Sequence, residues 1–237
     1  MKILSFGAGM QSTALALMSC ENVDAERKGH ERPYPLVPVY DLVVFCDLGF
    51  EPPWVMQQAE FVHRACDAAG IRYEMLDAPL HRDLMQNFGR RRTVSIPWWT
   101  LRDDGHKSRM PRNCTLDYKV ERISKFVRWE VLGYKKGQRL RDEDKKAHEM
   151  HMGFSFEEKQ RCKDSPNPMF VNRFPLVDME LTRADNYAYI LDVWGAGHQG
   201  VRLLLLPVPP KLFLREPQGT PAADLREAAG GRRAAEG

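Results

Sequence analysis

A short apolar run that ends in a glycine-rich turn opens the chain, and no other feature constrains the fold as strongly. Residues 2–6 are apolar and β-prone, and Gly7 and Gly9 follow them directly. This pattern predicts a buried strand and then a turn that needs the backbone freedom of glycine. Because Ser12 and Thr13 precede a run of good helix formers, a helix is predicted to begin directly after the turn.

The same alternation continues along the first third of the chain. Residues 41–47 predict a second buried strand, residues 55–69 predict an amphipathic helix that Gly70 ends, and residues 72–76 predict a third strand. Strands that alternate with helices predict an α/β fold with a Rossmann-like, mostly parallel sheet flanked by helices. The remaining patterns predict a surface excursion (21–38), a short helix (80–88), a long loop (90–113), a helix (117–132), a solvated segment (134–150), a strand (151–155) and a last helix (186–194).

The carboxyl ends of parallel strands meet at one edge of the sheet, which is where such folds bind ligands. This edge should bring the turn at residues 7–13 close to Asp47, the last residue of the second strand. Backbone N–H groups and hydroxyls at the positive end of a helix suit a phosphate. A turn that uses its glycines only for tight packing is the alternative.

Two well-known nucleotide-binding motifs, the Walker A loop and the dinucleotide-binding fingerprint, do not match the turn completely. A Walker A loop is excluded because Gln11 stands where the motif requires lysine. A dinucleotide fingerprint matches at Gly7 and Gly9, but Ser12 replaces its third glycine.

The distribution of charge indicates the kind of partner, and the cysteine content indicates the compartment. The net charge of +3 is small, yet residues 90–147 hold 17 Lys+Arg against 8 Asp+Glu. This basic segment is predicted to face the phosphate-binding edge and to take an anion, with nucleic acid as one candidate. Five cysteines without a C-x-x-C pair, and no apolar run long enough for a membrane span, predict a protein of a reducing compartment such as the cytoplasm.

Four segments in order carry a resemblance to a known family. Ser5-Phe6-Gly7 with Ser12-Thr13 resembles the pyrophosphate loop of the adenine nucleotide α-hydrolase superfamily. Phe45–Glu51 is similar to the F-x-D-T-G-x-E strand end of its phosphoadenosine phosphosulfate (PAPS) reductase-like branch, with Leu48 in place of threonine. Cys114–Lys119 is similar to its C-T-x-x-x-K segment, and Gly153–Arg161 to its G-I-S-x-D-E-x-x-R segment, with Glu157 in place of aspartate.

The resemblance implies a site for ATP or PAPS, with Mg²⁺ offsetting the phosphate charge. It implies that the nucleotide contacts a set of residues in all four segments: Ser5, Gly7, Gly9, Gln11, Ser12, Thr13, Asp47, Gly49, Glu51, Arg112, Gly153 and Ser155. The catalytic residues it implies are Lys119, Asp47 and Arg161.

Several of these residues have a plainer alternative. Lys119 either stabilises charge on a phosphoryl group or is a solvated helix lysine. Arg161 either clamps an anion or pairs with Glu157 or Glu158. Cys114 is a nucleophile, a metal ligand or a small apolar residue.

The end of the chain departs from the family pattern. Members of this branch carry a C-x-x-C-P motif that can complete an iron–sulfur site, and sulfonucleotide reductases carry a cysteine near the carboxyl terminus, but no cysteine follows Cys162. Residues 218–237 contain 6 Ala and 4 Gly, a composition that predicts disorder. We therefore predict a nucleotide-binding domain over residues 1–195 and an irregular tail over residues 196–237, with a shifted reading frame as one hypothesis for the tail.

Three functions stay open at this point. The first is an ATP pyrophosphatase that adenylates an acceptor, in nucleic-acid modification or in sulfur transfer. The second is a thiol-dependent PAPS reductase, against which the missing terminal cysteine counts. The third is a non-catalytic module that binds nucleotide or nucleic acid.

Overall fold

The architecture is a parallel α/β sheet with helices on both faces. The structure is a computed structural model, and it describes residues 1–49, 51–78, 99–101, 107–109 and 119–194. The strands are β1 (Lys2–Phe6), β2 (Leu42–Asp47), β3 (Arg72–Asp77), β4 (Trp99–Leu101), β5 (Lys107–Arg109), β6 (His148–Met152) and β7 (Phe170–Arg173). The α-helices are α1 (Met10–Arg27), α2 (Pro53–Ala69), α3 (Glu121–Phe126), α4 (Pro175–Asp178) and α5 (Arg183–Tyr189).

Several helices are extended or joined by turns of other types. The α3 segment (residues 119–131) comprises α3 and the π-helical turns on either side of it, and Ile190–Trp194 continues α5 as a π-helical turn. Two 3-10 helices cover Asp142–Asp144 and Phe156–Arg161.

Five strands form one parallel sheet in the order β3-β2-β1-β6-β7. The predicted α/β, mostly parallel sheet is therefore confirmed. Since β1 pairs with β2 on one side and with β6 on the other, the strand order reverses at β1. The predicted long loop at 90–113 instead contains a separate antiparallel pair, β4 and β5.

Alternating side chains of the strands build a core on each face of the sheet. Leu4 and Phe6 of β1 pack on the face covered by α1 and α2, where α4 contributes Leu176. Ile3 packs on the opposite face, with Phe126 from the α3 segment. Burial on both faces explains why β1 and β2 read as continuous apolar runs.

The segment 134–150 is mostly solvated, as its charge predicts, because residues 135–139, 141–143 and 145–147 are exposed, and four of its residues are buried. Tyr134 and Asp144 are buried, and so are His148 and Met150 at the start of β6. β6 is buried because it lies between β1 and β7, and its own sequence carries no apolar pattern that reveals this.

Several helices and strands begin or end at residues other than those predicted from the sequence. The strand predicted at 151–155 is β6, which ends at Met152. α1 continues to Arg27, so the first part of the predicted surface excursion is helical. α5 begins before the predicted 186 because Thr182 and Asp185 form a capping box at its start. The helix predicted at 117–132 is confirmed over its described part, whereas the predictions for 80–88 and 196–237 lie outside the described residues.

The buried histidines of β6 give a testable pH dependence. Burial lowers the pKa of His148 and of His151, although the carboxylates of Asp144 and Glu149 act in the opposite direction. The unfolded chain therefore takes up protons first as the pH falls through about 6.5, and the free energy of unfolding should decrease towards pH 5. The slope should be at most about 1.4 kcal/mol per pH unit for each histidine.

Chemical denaturation at several pH values measures this slope. We expect it to be smaller in the variants His148→Gln and His151→Gln, with the same change at exposed His30 as the control. An equal slope in all four proteins would contradict this assignment.

Candidate functional site

The candidate site lies at the carboxyl ends of β1 and β6, where the strand order reverses. In open α/β sheets this switch point leaves a crevice between the loops that follow the two strands. The first loop, residues 7–9, leads from β1 into α1, and the second loop, residues 153–155, leads from β6 into the 3-10 helix Phe156–Arg161.

The first loop presents the amino end of an 18-residue helix without a side-chain cap. Gly9 is the N-cap residue of α1, and no side chain accepts from the first-turn N–H groups. The Ser12 hydroxyl lies beneath the loop, where it accepts from the Gly7 N–H at 3.3 Å and donates to the Gly9 carbonyl at 3.1 Å. First-turn N–H groups that no side chain caps, together with the helix dipole, favour an anion at this position.

The glycines of this loop are not required by packing. A Cβ added at Gly7 or at Gly9 would meet no atom within 4 Å. Neither residue has a positive φ, whereas Ala8 has a φ of 51°, so the predicted need for glycine's backbone freedom at these two positions is wrong. The open space on both glycines weighs against a turn built only for tight packing and leaves room for a ligand to approach the backbone.

The glycine that packing does require is Gly153 in the second loop. A Cβ at this residue would lie 2.6 Å from the backbone nitrogen of Ser12 and 2.8 Å from the carbonyl carbon of Gln11. The second loop therefore lies directly against the first turn of α1, and only glycine permits this approach.

A carboxylate connects the two loops. Glu158 accepts a hydrogen bond from the Gln11 side-chain amide at 3.4 Å and completes a capping box with Ser155. Its other oxygen pairs with Arg161. Arg161 also stacks on the ring of Phe154, with 4.4 Å between the guanidinium carbon and the ring centroid. Of the two predicted roles for Arg161, the structure shows the pairing with Glu158.

Two residues of the predicted phosphate loop lie deeper in the fold. Thr13 is fully buried, and its hydroxyl accepts a hydrogen bond at 3.1 Å from Gln58 of α2. Ser5 is half-buried within β1, and the alternation of the strand places it on the same face as Ile3. The Thr13 hydroxyl is therefore already bonded inside the fold, although its backbone N–H donates to the Gly9 carbonyl at 3.0 Å.

The carboxyl end of β2 forms the neighbouring part of the edge. Asp47 accepts the Gly49 N–H at 2.7 Å, and Gly49 has a φ of 76°, which favours glycine. Glu51 follows, and its carboxylate lies 3.4 Å from the Lys119 ammonium at the start of the α3 segment. Because the side chains of Lys119 and Glu51 are only 25% and 16% exposed, this ion pair is held in place at the edge and is not a freely solvated contact.

The basic segment was predicted to face this edge, and in its described part from residue 119 onward this is wrong for residues 133–147. The α3 segment begins at Lys119 near the carboxyl end of β2, where the Cys46 thiol donates to the Lys119 carbonyl at 3.8 Å. The chain then returns to the start of β6, so residues 133–147 lie at the opposite, amino-terminal edge of the sheet. Lys119 lies at this edge, and Arg122 reaches the same edge one strand further on, where it donates to the Asp77 carbonyl at 3.2 Å.

The cysteines of the described ranges are free thiols and belong to no group of three metal-ligating side chains. Cys20, Cys46 and Cys66 are buried and Cys162 is half-buried, and burial raises the pKa of the Cys46 thiol to about 11. Within the described residues no three His, Cys, Asp or Glu side chains come together as a metal site. The predicted residues Arg112 and Cys114 lie outside the described part of the chain.

Two contacts of the site were not predicted from the sequence: Glu158 was expected only as a partner of Arg161, and Gln58 was not expected at the site. Glu158 carries a signal that could have identified it, since Ser155 and Glu158 have the S-x-x-E spacing of a capping box. Gln58 carries no such signal, because its bond to Thr13 depends on how α1 and α2 pack.

No helix in the described ranges is long and apolar enough to cross a membrane. No family model matches the chain, and no curated protein matches its sequence.

Proposed function

We propose that the chain binds an adenine nucleotide at this edge and cleaves ATP between its α and β phosphates. The observation that carries the proposal is the uncapped amino end of α1, which lies at the switch point with open space above Gly7 and Gly9. An anion placed there accepts hydrogen bonds from backbone N–H groups and is attracted by the positive end of the dipole of a long helix. The resemblance of the four segments to the PAPS reductase-like branch supports adenosine as the remainder of the ligand.

The neighbouring strand end supplies the charges that cleavage requires. Lys119 would stabilise the negative charge that develops on the phosphoryl oxygens, and Glu51 would hold its ammonium at the edge before the nucleotide binds. An acceptor oxygen would attack the α phosphorus, the bond to the bridging oxygen would break, and pyrophosphate would leave while AMP stays on the acceptor.

The residues at the end of β2 fit a magnesium ion better than an iron–sulfur cluster. Magnesium is commonly held by one or two carboxylates together with substrate phosphates, and Asp47 uses one carboxylate oxygen for the Gly49 N–H, so its second oxygen could serve as a ligand. Bound there, the ion would offset the phosphate charge. An iron–sulfur cluster needs several cysteines together, whereas in the described ranges Cys20 and Cys66 interact with each other in one core and Cys46 is buried in the core on the other face of the sheet.

A pyrophosphate-release assay with ATP and Mg²⁺, beside a titration with PAPS, tests the proposal. In this assay water supplies the attacking oxygen, so pyrophosphate with AMP as the second product is the expected result. Tight PAPS binding with thiol-dependent reduction would favour the reductase in its place, and nucleotide binding without turnover would leave only a binding module.

A further inference from the structure

A basic loop lies at the edge of the sheet opposite to the candidate site. This amino-edge loop (residues 133–147) joins the end of the α3 segment to the start of β6. Two backbone hydrogen bonds fix its position beside the strand starts: Lys146 N–H donates to the Pro168 carbonyl before β7, and Glu149 N–H donates to the Met1 carbonyl before β1.

A buried tyrosine gives the loop a defined shape. Two guanidinium groups lie near the ring of Tyr134, with distances from the guanidinium carbon to the ring centroid of 5.2 Å for Arg128 and 4.9 Å for Arg141. Its hydroxyl donates to the buried carboxylate of Asp144, which Arg141 also contacts at 2.7 Å. The side chains that the loop displays are therefore presented by an ordered scaffold, which lowers the entropy cost of binding a partner.

Four exposed cations of this loop have no anionic partner in the described part of the chain: Lys135, Lys136, Arg139 and Lys146. By contrast, Arg141 pairs with Asp144 and Lys145 pairs with Asp142. Over residues 119–146 the chain carries 10 Lys+Arg and 5 Asp+Glu. The uncompensated charge creates a positive potential at this edge that attracts a polyanion.

An exposed tryptophan lies at the end of the α3 segment that leads into the amino-edge loop. Trp129 is 40% exposed, so part of its indole ring is open to solvent beside the basic loop's attachment point. Its neighbour Arg128 donates a hydrogen bond to the Gln138 carbonyl in the amino-edge loop, so the last turn of the segment is attached to the basic loop. Proteins that bind single strands combine two kinds of side chain: cations that contact the phosphate backbone, and aromatic rings on which bases stack.

We infer that the amino-edge loop and Trp129 form a docking surface for single-stranded nucleic acid. Lys135, Lys136 and Arg139 would contact phosphates, and Trp129 would stack on an unpaired base. An acidic protein would satisfy the cations but would leave the exposed ring unexplained. The inference goes beyond the proposed function and does not depend on it, because the surface and the nucleotide site lie at opposite edges of the sheet.

The experiment compares two charge-reversed variants that have the same net charge. Fluorescence anisotropy with a labelled single strand of about 16 nucleotides, at about 50 to 200 mM salt, measures binding. Lys135→Glu/Lys136→Glu should bind at least about ten-fold more weakly and should lower the salt slope by about one to two. Arg64→Glu/Lys163→Glu, which changes exposed cations elsewhere, should bind as the unmodified chain does. ATP binding, measured on the same samples, should not differ between the two variants.

A second pair of variants tests the stacking. Trp129→Ala should weaken binding by about ten-fold, whereas the same change at exposed Trp54 of α2 should not. The inference is overturned if the single strand does not bind at about 50 mM salt, or if both members of either pair lose affinity equally. It is also overturned if polyglutamate displaces the single strand as effectively as an unlabelled oligonucleotide does, since the surface would then be selective only for charge.

Discussion

Replacement of Gly153 by alanine is expected to destabilise the fold and to disable nucleotide binding together. The new Cβ would lie 2.6 Å from the backbone nitrogen of Ser12, and no rotamer change can relieve a clash with backbone. The first turn of α1 must therefore move, which should lower the free energy of unfolding by about 1–3 kcal/mol. Because the N–H donors for the phosphate belong to that turn, ATP should bind at least about ten-fold more weakly.

The matched control for this prediction is Gly9→Ala, measured by chemical denaturation. Its Cβ would enter open space, and the φ of Gly9 is −90°, which any residue adopts. We expect its free energy of unfolding to stay within about 0.5 kcal/mol of the unmodified chain. If the two alanine variants lost the same stability, the close contact between Gly153 and α1 would not be the cause.

Replacement of Lys119 by methionine is expected to slow pyrophosphate release by at least about 100-fold. The methionine keeps most of the apolar stem of the side chain and removes the charge, so the α3 segment should fold as before. Glu51 would then lie half-buried at the phosphate edge without its cation, which adds repulsion to the lost stabilisation. A pyrophosphate-release assay at saturating ATP measures the loss.

Lys125→Met in the same helix is the control for this variant. Lys125 is 44% exposed and pairs with Glu121 on the helix surface, so its loss should leave the rate unchanged. Equal rates for the Lys119 and Lys125 variants would remove Lys119 from the proposed machinery without affecting the assignment of the nucleotide loop. Normal ATP binding by the Lys119 variant would show that a slower rate arises in the chemical step.

The first 78 residues were the most predictable part of the fold. β1 has the predicted bounds, Gly70 ends α2 as predicted, with a φ of 74°, and the helix begins two residues before the predicted 55, at Pro53. Each of these features depends on neighbours along the chain: an apolar run, a proline at the first helical turn, and a glycine in the left-handed region. The parallel sheet then followed from the alternation of strands and helices.

Features that depend on distant contacts could not be predicted. The sequence of β6, His148–Met152, is polar at three of five positions, and its burial comes from pairing with β1 and β7. The candidate site also combines features that the local sequence reveals with features that depend on distant contacts. Its loop glycines were recognisable, but the packing of Gly153 on α1 and the bond from Gln58 to Thr13 exist only once the helices and strands have assembled.

The reversal of strand order at β1 also bears on how the chain folds. β1 pairs with β2 across one short crossover, Ile3 opposite Leu42, but its other pairing joins Lys2 to Glu149. Pairings of such long range close slowly, so the two halves of the sheet should join late and the crevice between their loops should form with them. A nucleotide that needs this crevice would then bind the folded state and not the transition state for folding. It should therefore slow unfolding and leave the rate of folding nearly unchanged.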